Sequence, residues 1–436
     1  MVTFLNESDP SNESISEVPT KWLTEDKVHC YWPPGANANL YIKRLVEPRK
    51  SWPLHPVRVD AFHGLGCVLG DDGPTVKIPQ GDIKGTYQRS YNGRTFSAFE
   101  GIPYAKPPVG ELRFMEPEPA DHWQGVLIAN TTYMCMCFIP IPLLYGPRGI
   151  EDCLYVYVYV PREKINEDEN LDVVVHIHGG AFMVGAPKYM ASPSFIMDQD
   201  VIYVSFNYRL AIFGFLSTED DVVPGNNGLK DQSLALKWIK ENVKYFGGNP
   251  DSITLTGLSA GGSSVHYHYL SPWSKGLFHR GFSQSGTALQ HWALTEEPLD
   301  KAKVVANQLN CSTESTKIMV ECLKKVSATQ LVWAMKSLFM FMDIIPFTTF
   351  GPVVEKGKNP FLADQPYNLL KEGKVYDVPW VVSNVKEEGI FPVGCVAHSD
   401  DGRLLFPIIG TPSELETNDE KMMKLLTGFA TVYAKS

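Results

Sequence analysis

The chain has 436 residues, with 39 Lys and Arg against 49 Asp and Glu and a formal net charge of −10. That acidic balance excludes a protein that holds nucleic acid through non-specific charge attraction. A hydrophobic share of 44% and a charged share of 20% exclude a disordered or collagen-like chain and allow a large buried core.

Residues 1–64 differ in composition from the rest of the chain, with Trp22, Trp32 and Trp52, several prolines, and a basic patch at Lys43, Arg44, Arg49 and Lys50. The opening MVTFLNESDPSNESISEVP carries Asp, Glu, Asn and Pro where an export signal would place a basic start and an apolar block, so it does not read as one. A divergent leader over 1–64 and a main domain over 65–436 are expected. In DGPTVKIPQGDIKGTYQRSYNGRTFSAFEGIPYA, β-branched and aromatic residues alternate with polar ones between Gly, Asn and Asp turns. This pattern predicts a small antiparallel sheet.

From Leu154 the text becomes apolar strand, glycine turn, helix: LYVYVYVP, LDVVVHIHGGAF, DVIYVSFNYRL and SITLTGLSAGG. Continuous Val, Ile and Leu runs mark strands buried on both faces. Between them, GLKDQSLALKWIKENVKYFGG places Leu234, Leu236, Trp238, Ile239 and Val243 in a helical stripe that ends before Gly247. Strand and helix in alternation predict an α/β fold with a mostly parallel sheet and helices on both faces. DVPWVVSNV at 377–385 is a further buried-strand candidate, followed by Glu387 and Glu388. No run reaches the roughly 18 apolar residues that a membrane span needs.

The eight cysteines fit either disulfides or buried thiols. Cys311 and Cys322 bracket a short helical segment, while Cys135, Cys137 and Cys153 cluster around a loop. Sequons at Asn6, Asn12, Asn130 and Asn310 acquire meaning in the secretory pathway alone.

Gly257-Leu258-Ser259-Ala260-Gly261 fits G-x-S-x-G, directly after a strand and before a helix. Such an elbow holds the serine in a strained turn, and its glycines stand where a Cβ would strike the neighbouring strand and helix. Ser259 is therefore the expected nucleophile. HIHGGAFMVG at 176–185 follows another strand and brings small residues close to the reacting centre. The N–H groups of Gly180, Ala181 and Ala260 are the expected donors to an oxyanion.

With these motifs in place, the chain resembles the carboxylesterase/cholinesterase family of α/β-hydrolases, most closely insect-type carboxylesterases. The likeness runs from about residue 65 to 436 through GRTFSAFEGIPYAKPPVGELRF, EDCLYVYVYVP, FNYRLAIFGFLS, GNNGLKDQSLALKWIKENVKYFGGNPDSITLTGLSAGGSS and GLFHRGFSQSGTAL. The resemblance implies an α/β-hydrolase fold and a serine esterase acting on apolar carboxylic esters without metal or cofactor. It implies Glu388 as the acid of a triad and His398, in GCVAHSDD, as its base, with His266 and His268 packed on the helix after the elbow. It also implies disulfides Cys311–Cys322 and Cys153 to either Cys135 or Cys137. Where this chain has Tyr157, the family commonly has Asn.

The pattern departs from the family where nine residues, 389–397, separate Glu388 from His398. Relatives place several helices and the last main strand of the sheet there, and they continue beyond the C-terminal GFATVYAKS. A parallel crossover needs a dozen or more residues, so a weak or inactive esterase-like binding or adhesion protein stands beside the serine carboxylesterase as a second expectation. Family habit implies the secretory pathway, against the opening sequence. A small-molecule ester is the expected partner.

Overall fold

A computed structural model describes residues 73–140, 145–339, 348–386 and 417–435, together with four short strands ahead of residue 73. The chain divides into two compact units, Met1–Asp72 and Gly73–Ser436. In the first, β1 (Val2–Phe4), β2 (Ser14–Ser16), β3 (His29–Tyr31) and β4 (Leu54–Val59) form an antiparallel sheet in the order β2-β1-β4-β3.

The second unit opens with β5 (Thr75–Ile78) and β6 (Gly81–Lys84), an antiparallel hairpin that β9 (Val126–Ile128) joins in parallel. The next two strands, β7 (Thr86–Arg89) and β8 (Thr95–Pro103), leave this small sheet and become one edge of the large one, while β10 (Cys137–Ile139) and β11 (Gly146–Arg148) form a separate antiparallel pair. The alternating segment therefore splits, because β8 is buried along most of its length and pairs antiparallel with β12 (Tyr155–Val160).

With β13 (Leu171–Ile177), β14 (Ile202–Phe206), β15 (Gly248–Leu258), β16 (Arg280–Gln284) and β17 (Trp380–Ser383), the large sheet has the order β17-β16-β15-β13-β14-β12-β8-β7. Its centre, β14-β13-β15-β16-β17, is parallel throughout. Two-residue periodicity explains how apolar runs fill both faces. In β12, Val156, Val158 and Val160 enter the main core, while Tyr157 and Tyr159 enter a second core across the sheet. β13 and β14 divide likewise, with Val174 and Tyr203 on the second face.

Helix Thr417–Lys435 helps close that second face: Ala430 and Ala434 pack there with Val174 and Phe282, and Phe282 meets Phe429 edge to face. On the main core side lies helix Asn227–Asn242, which runs into a 3-10 turn and ends at Gly247, φ 82°. Leu229, Leu236 and Ile239 are buried along it. So are Lys230 and Asp231, which the hydrophobic stripe does not anticipate. Asp231 meets the Arg209 guanidinium at 2.8 and 2.7 Å and also accepts the Arg209 N–H at 3.0 Å. Lys230 pairs with buried Glu355 at 2.9 Å. Charges out of water persist when paired and hydrogen-bonded in this way.

β17 forms where DVPWVVSNV predicts a strand, but Val382 is 41% exposed. Among the described residues β17 is the edge strand of the large sheet. Disulfides join Cys135 to Cys153 and Cys311 to Cys322, leaving Cys137 as a buried thiol that burial pushes up to about 12. No described helix is long and apolar enough to cross a membrane.

Candidate active site

β15 carries Gly257 and Leu258 to the end of the sheet, and the chain reverses at Ser259 into helix Ala260–Leu270. Ser259 takes φ 58° and ψ −120°, a combination that a non-glycine residue adopts only under strain. The neighbours hold it there. Its N–H donates to the Gln284 carbonyl at 2.8 Å, and its carbonyl accepts the Ser263 N–H at 2.9 Å. A Cβ on Gly257 would overlap the backbone of Gly261, and one on Gly261 would overlap the carbonyl of Ile177. The two motif glycines thus let strand, turn and helix approach more closely than any side chain allows.

The segment 178–185 comes off the end of β13, which lies beside β15. A Cβ placed on Gly179 would sit 3.2 Å from the Ser259 Cβ and 2.6 Å from the Leu258 carbonyl oxygen. The glycine loop is therefore seated against the serine turn. Within it Gly180 has φ 108°, Ala181 56° and Phe182 60°. The Gly180 carbonyl accepts the N–H groups of Met183 and Val184, each at 2.9 Å. Ala260 opens its helix, where backbone N–H groups lack an intrahelical acceptor. Among the described residues, none accepts a hydrogen bond from the N–H of Gly180, Ala181 or Ala260.

Histidines around the loop are neutral scaffold groups. Burial pushes His178 down to about 4 and His176 to about 3. The Nδ1–H of His178 donates to the Gly179 carbonyl at 2.8 Å, its ring stacks on Tyr208 at 4.5 Å, and its own carbonyl accepts the Tyr208 hydroxyl at 3.0 Å. His266 accepts the Ala288 N–H at Nδ1, 3.1 Å, and packs 4.3 Å from the Trp380 ring. His268 is bonded at both nitrogens, to Ser274 Oγ at 2.6 Å and Gln232 Oε1 at 2.9 Å. Both are committed to the helix packing expected of them.

The structure thus brings together Ser259, Gly180, Ala181 and Ala260. Glu387, Glu388 and His398 lie outside the described residues. Three contributors escaped the sequence reading. Gly286 packs under Ser259, Ser285 has φ 49° beside it, and Thr348 donates its hydroxyl to the Ala181 carbonyl at 3.2 Å. No local pattern marks them, since each acts across a gap in sequence. Tyr157 also finds its partners: its hydroxyl accepts the Tyr133 N–H at 3.0 Å and the Asn207 amide at 2.9 Å.

A model of the carboxylesterase family matches residues 72–424. Venom carboxylesterase-6 of Apis mellifera is 47% identical over 322 residues, 73% of this chain and 57% of that protein. Esterase E4 of Myzus persicae is 42% identical over 345 residues, 77% of this chain and 61% of that protein. Juvenile hormone esterase of Tribolium castaneum is 40% identical over 373 residues, 83% of this chain and 60% of that protein. The chain therefore spans less than two thirds of the length of these relatives.

Proposed function

The chain belongs to the carboxylesterase family, and on that premise we propose that it hydrolyses apolar carboxylic esters through a covalent acyl-enzyme on Ser259. The observation that supports this most is the strained Ser259 turn pressed against the glycine loop. A hydroxyl on such a turn is presented to solvent at the end of the sheet, and three backbone N–H groups stand ready for an oxyanion. In the proposed reaction Ser259 Oγ attacks the ester carbonyl carbon while His398 takes its proton. Glu388 holds the imidazole ring and balances its charge. The oxyanion is received by Gly180, Ala181 and Ala260, and collapse of the intermediate expels the alcohol, which takes the proton from His398. Water, deprotonated by the same base, then attacks the acyl carbon, and the C–Oγ bond breaks to release the carboxylic acid as His398 returns the proton to Ser259 Oγ.

The test is labelling of the full chain with a fluorophosphonate. Labelling of the native protein, absent in Ser259→Ala and strongly reduced in His398→Ala, is expected. A folded native chain that takes no label overturns the hydrolase reading and leaves an esterase-like scaffold acting by binding alone.

A further inference from the structure

Ala181 and Phe182 adjoin one another with φ 56° and 60°, two consecutive left-handed residues with full side chains. Each is disfavoured by crowding at Cβ, and such backbone persists when its surroundings over-determine it. Phe182 is held on its own account: its carbonyl accepts the Ala211 N–H at 2.8 Å, and its ring packs against Phe215. Ala181 offers only a methyl for anchorage. What grips it comes from 167 positions along the chain, the Thr348 hydroxyl, which donates to the Ala181 carbonyl at 3.2 Å.

That hydroxyl is aimed by packing. Thr348 is buried, and a Cβ on Gly351 would overlap its Cγ2 while standing 3.0 Å from Thr295 Oγ1. The bare face of Gly351 is thus the seat of the Thr348 methyl. Because methyl and hydroxyl share the Thr Cβ, seating one fixes the direction of the other. The Thr295 N–H in turn donates to the carbonyl of Pro352 at 2.7 Å, tying down the segment that carries Gly351.

We infer that Thr348, seated on Gly351, is a positioning residue for the oxyanion loop: by holding the Ala181 carbonyl it fixes the 181–182 peptide plane and so, across the Ala181 Cα, restrains rotation of the adjoining plane that carries the Ala181 N–H. The inference rests on the hydrolase reading for its catalytic meaning, while the latch itself is measurable without activity. Donors act on an oxyanion only when aligned before the charge develops, so a loosened loop lowers the reaction rate more than substrate binding.

The test compares native protein, Thr348→Val and Thr348→Ser. Three quantities are read, amide hydrogen exchange in the 178–185 peptide, the rate of fluorophosphonate labelling and ester turnover, with melting temperature as control. Thr348→Val keeps shape and loses the hydroxyl, so the loop is expected to exchange faster. Labelling is expected to slow by about fivefold to tenfold, the scale of one lost hydrogen bond. Ester turnover is expected to show the loss in kcat with KM nearly constant, and Thr348→Ser, which keeps the hydroxyl but lacks the methyl that seats it, to recover all three in part. Unchanged loop exchange in Thr348→Val overturns the proposal, as does a lowered melting temperature with normal loop exchange, which would assign Thr348 to general stability. A loop that loosens in Thr348→Val, in a protein whose native form takes no label, upholds the latch and overturns the hydrolase reading alone.

Discussion

Gly286 and Ser259 are so closely apposed that a Cβ on the glycine would overlap the serine's carbonyl oxygen. The contact is backbone against backbone, with no flexible side chain to move aside. Gly286→Ala is therefore expected to displace the Ser259 turn, lowering stability by about 1–3 kcal/mol, the usual scale of overpacking. Thermal melting checks the stability, and fluorophosphonate labelling of the variant, expected to fall by at least tenfold, on the order of what a 1 Å misplacement exceeds, checks the displacement.

A second expectation concerns Arg209 and Asp231, each almost wholly buried and joined by two side-chain hydrogen bonds of 2.8 and 2.7 Å. Removing one partner strands the other charge without water. Asp231→Asn is expected to lower the unfolding free energy by about 3–5 kcal/mol, read as a shift of the urea midpoint at unchanged slope.

The Cys311–Cys322 disulfide ties the chain ahead of helix Thr316–Lys325 to a residue within that helix. Cys311→Ser combined with Cys322→Ser is expected to cost about 2–3 kcal/mol by freeing the unfolded chain. The same helix is gripped by buried Arg113, which donates to the carbonyls of Leu323 at 3.2 Å and Lys324 at 2.9 Å and pairs with Glu151 at 2.6 Å. The double variant is thus expected to unfold at lower temperature while its native helical signal stays intact. Loss of helical circular dichroism before melting would contradict that.

Acid sensitivity is expected from the buried imidazoles. Burial holds His178 and His266 down to about 4 and His176 and His268 to about 3, whereas an unfolded chain binds these protons near pH 6.5. Between about pH 6.5 and 4 the unfolded state carries more protons, so stability falls as pH falls across that window. The loss from His178 and His266 levels off below about 4, and that from His176 and His268 continues to about 3. Urea midpoints at pH 7, 6 and 5 are expected to decline stepwise, and His266→Gln to flatten the slope of that decline.

The central architecture was legible because strands buried on both faces leave uninterrupted apolar runs, as in LYVYVYV and LDVVVHI. Ser259 was legible for a related reason: a strained elbow cannot be built without the glycines at 257 and 261. The partner of Cys153 was not, since Cys135 and Cys137 differ by two residues and only the fold separates them; the isolated bridge between Cys135 and Ile150 brings Cys135 alongside. Thr348 and Gly351 were hidden because their importance lies in a contact with Ala181, far away in sequence. Val382 misled because an edge strand can be as apolar as an internal one.

The division of β12 into a valine face and a tyrosine face also bears on how the sheet finds its pairing. Sliding the strand by one position would turn Tyr157 and Tyr159 into the aliphatic layer and strand hydroxyls that now engage Tyr133, Asn207 and Glu100. It would also leave three valines facing a layer shaped for rings. Each misaligned pairing with β8 or β14 is penalised on both sides at once. The YVYVYV repeat, monotonous as text, acts as a ruler with one correct setting, and the antiparallel half of the sheet is expected to lock in register without slow sampling of shifted forms.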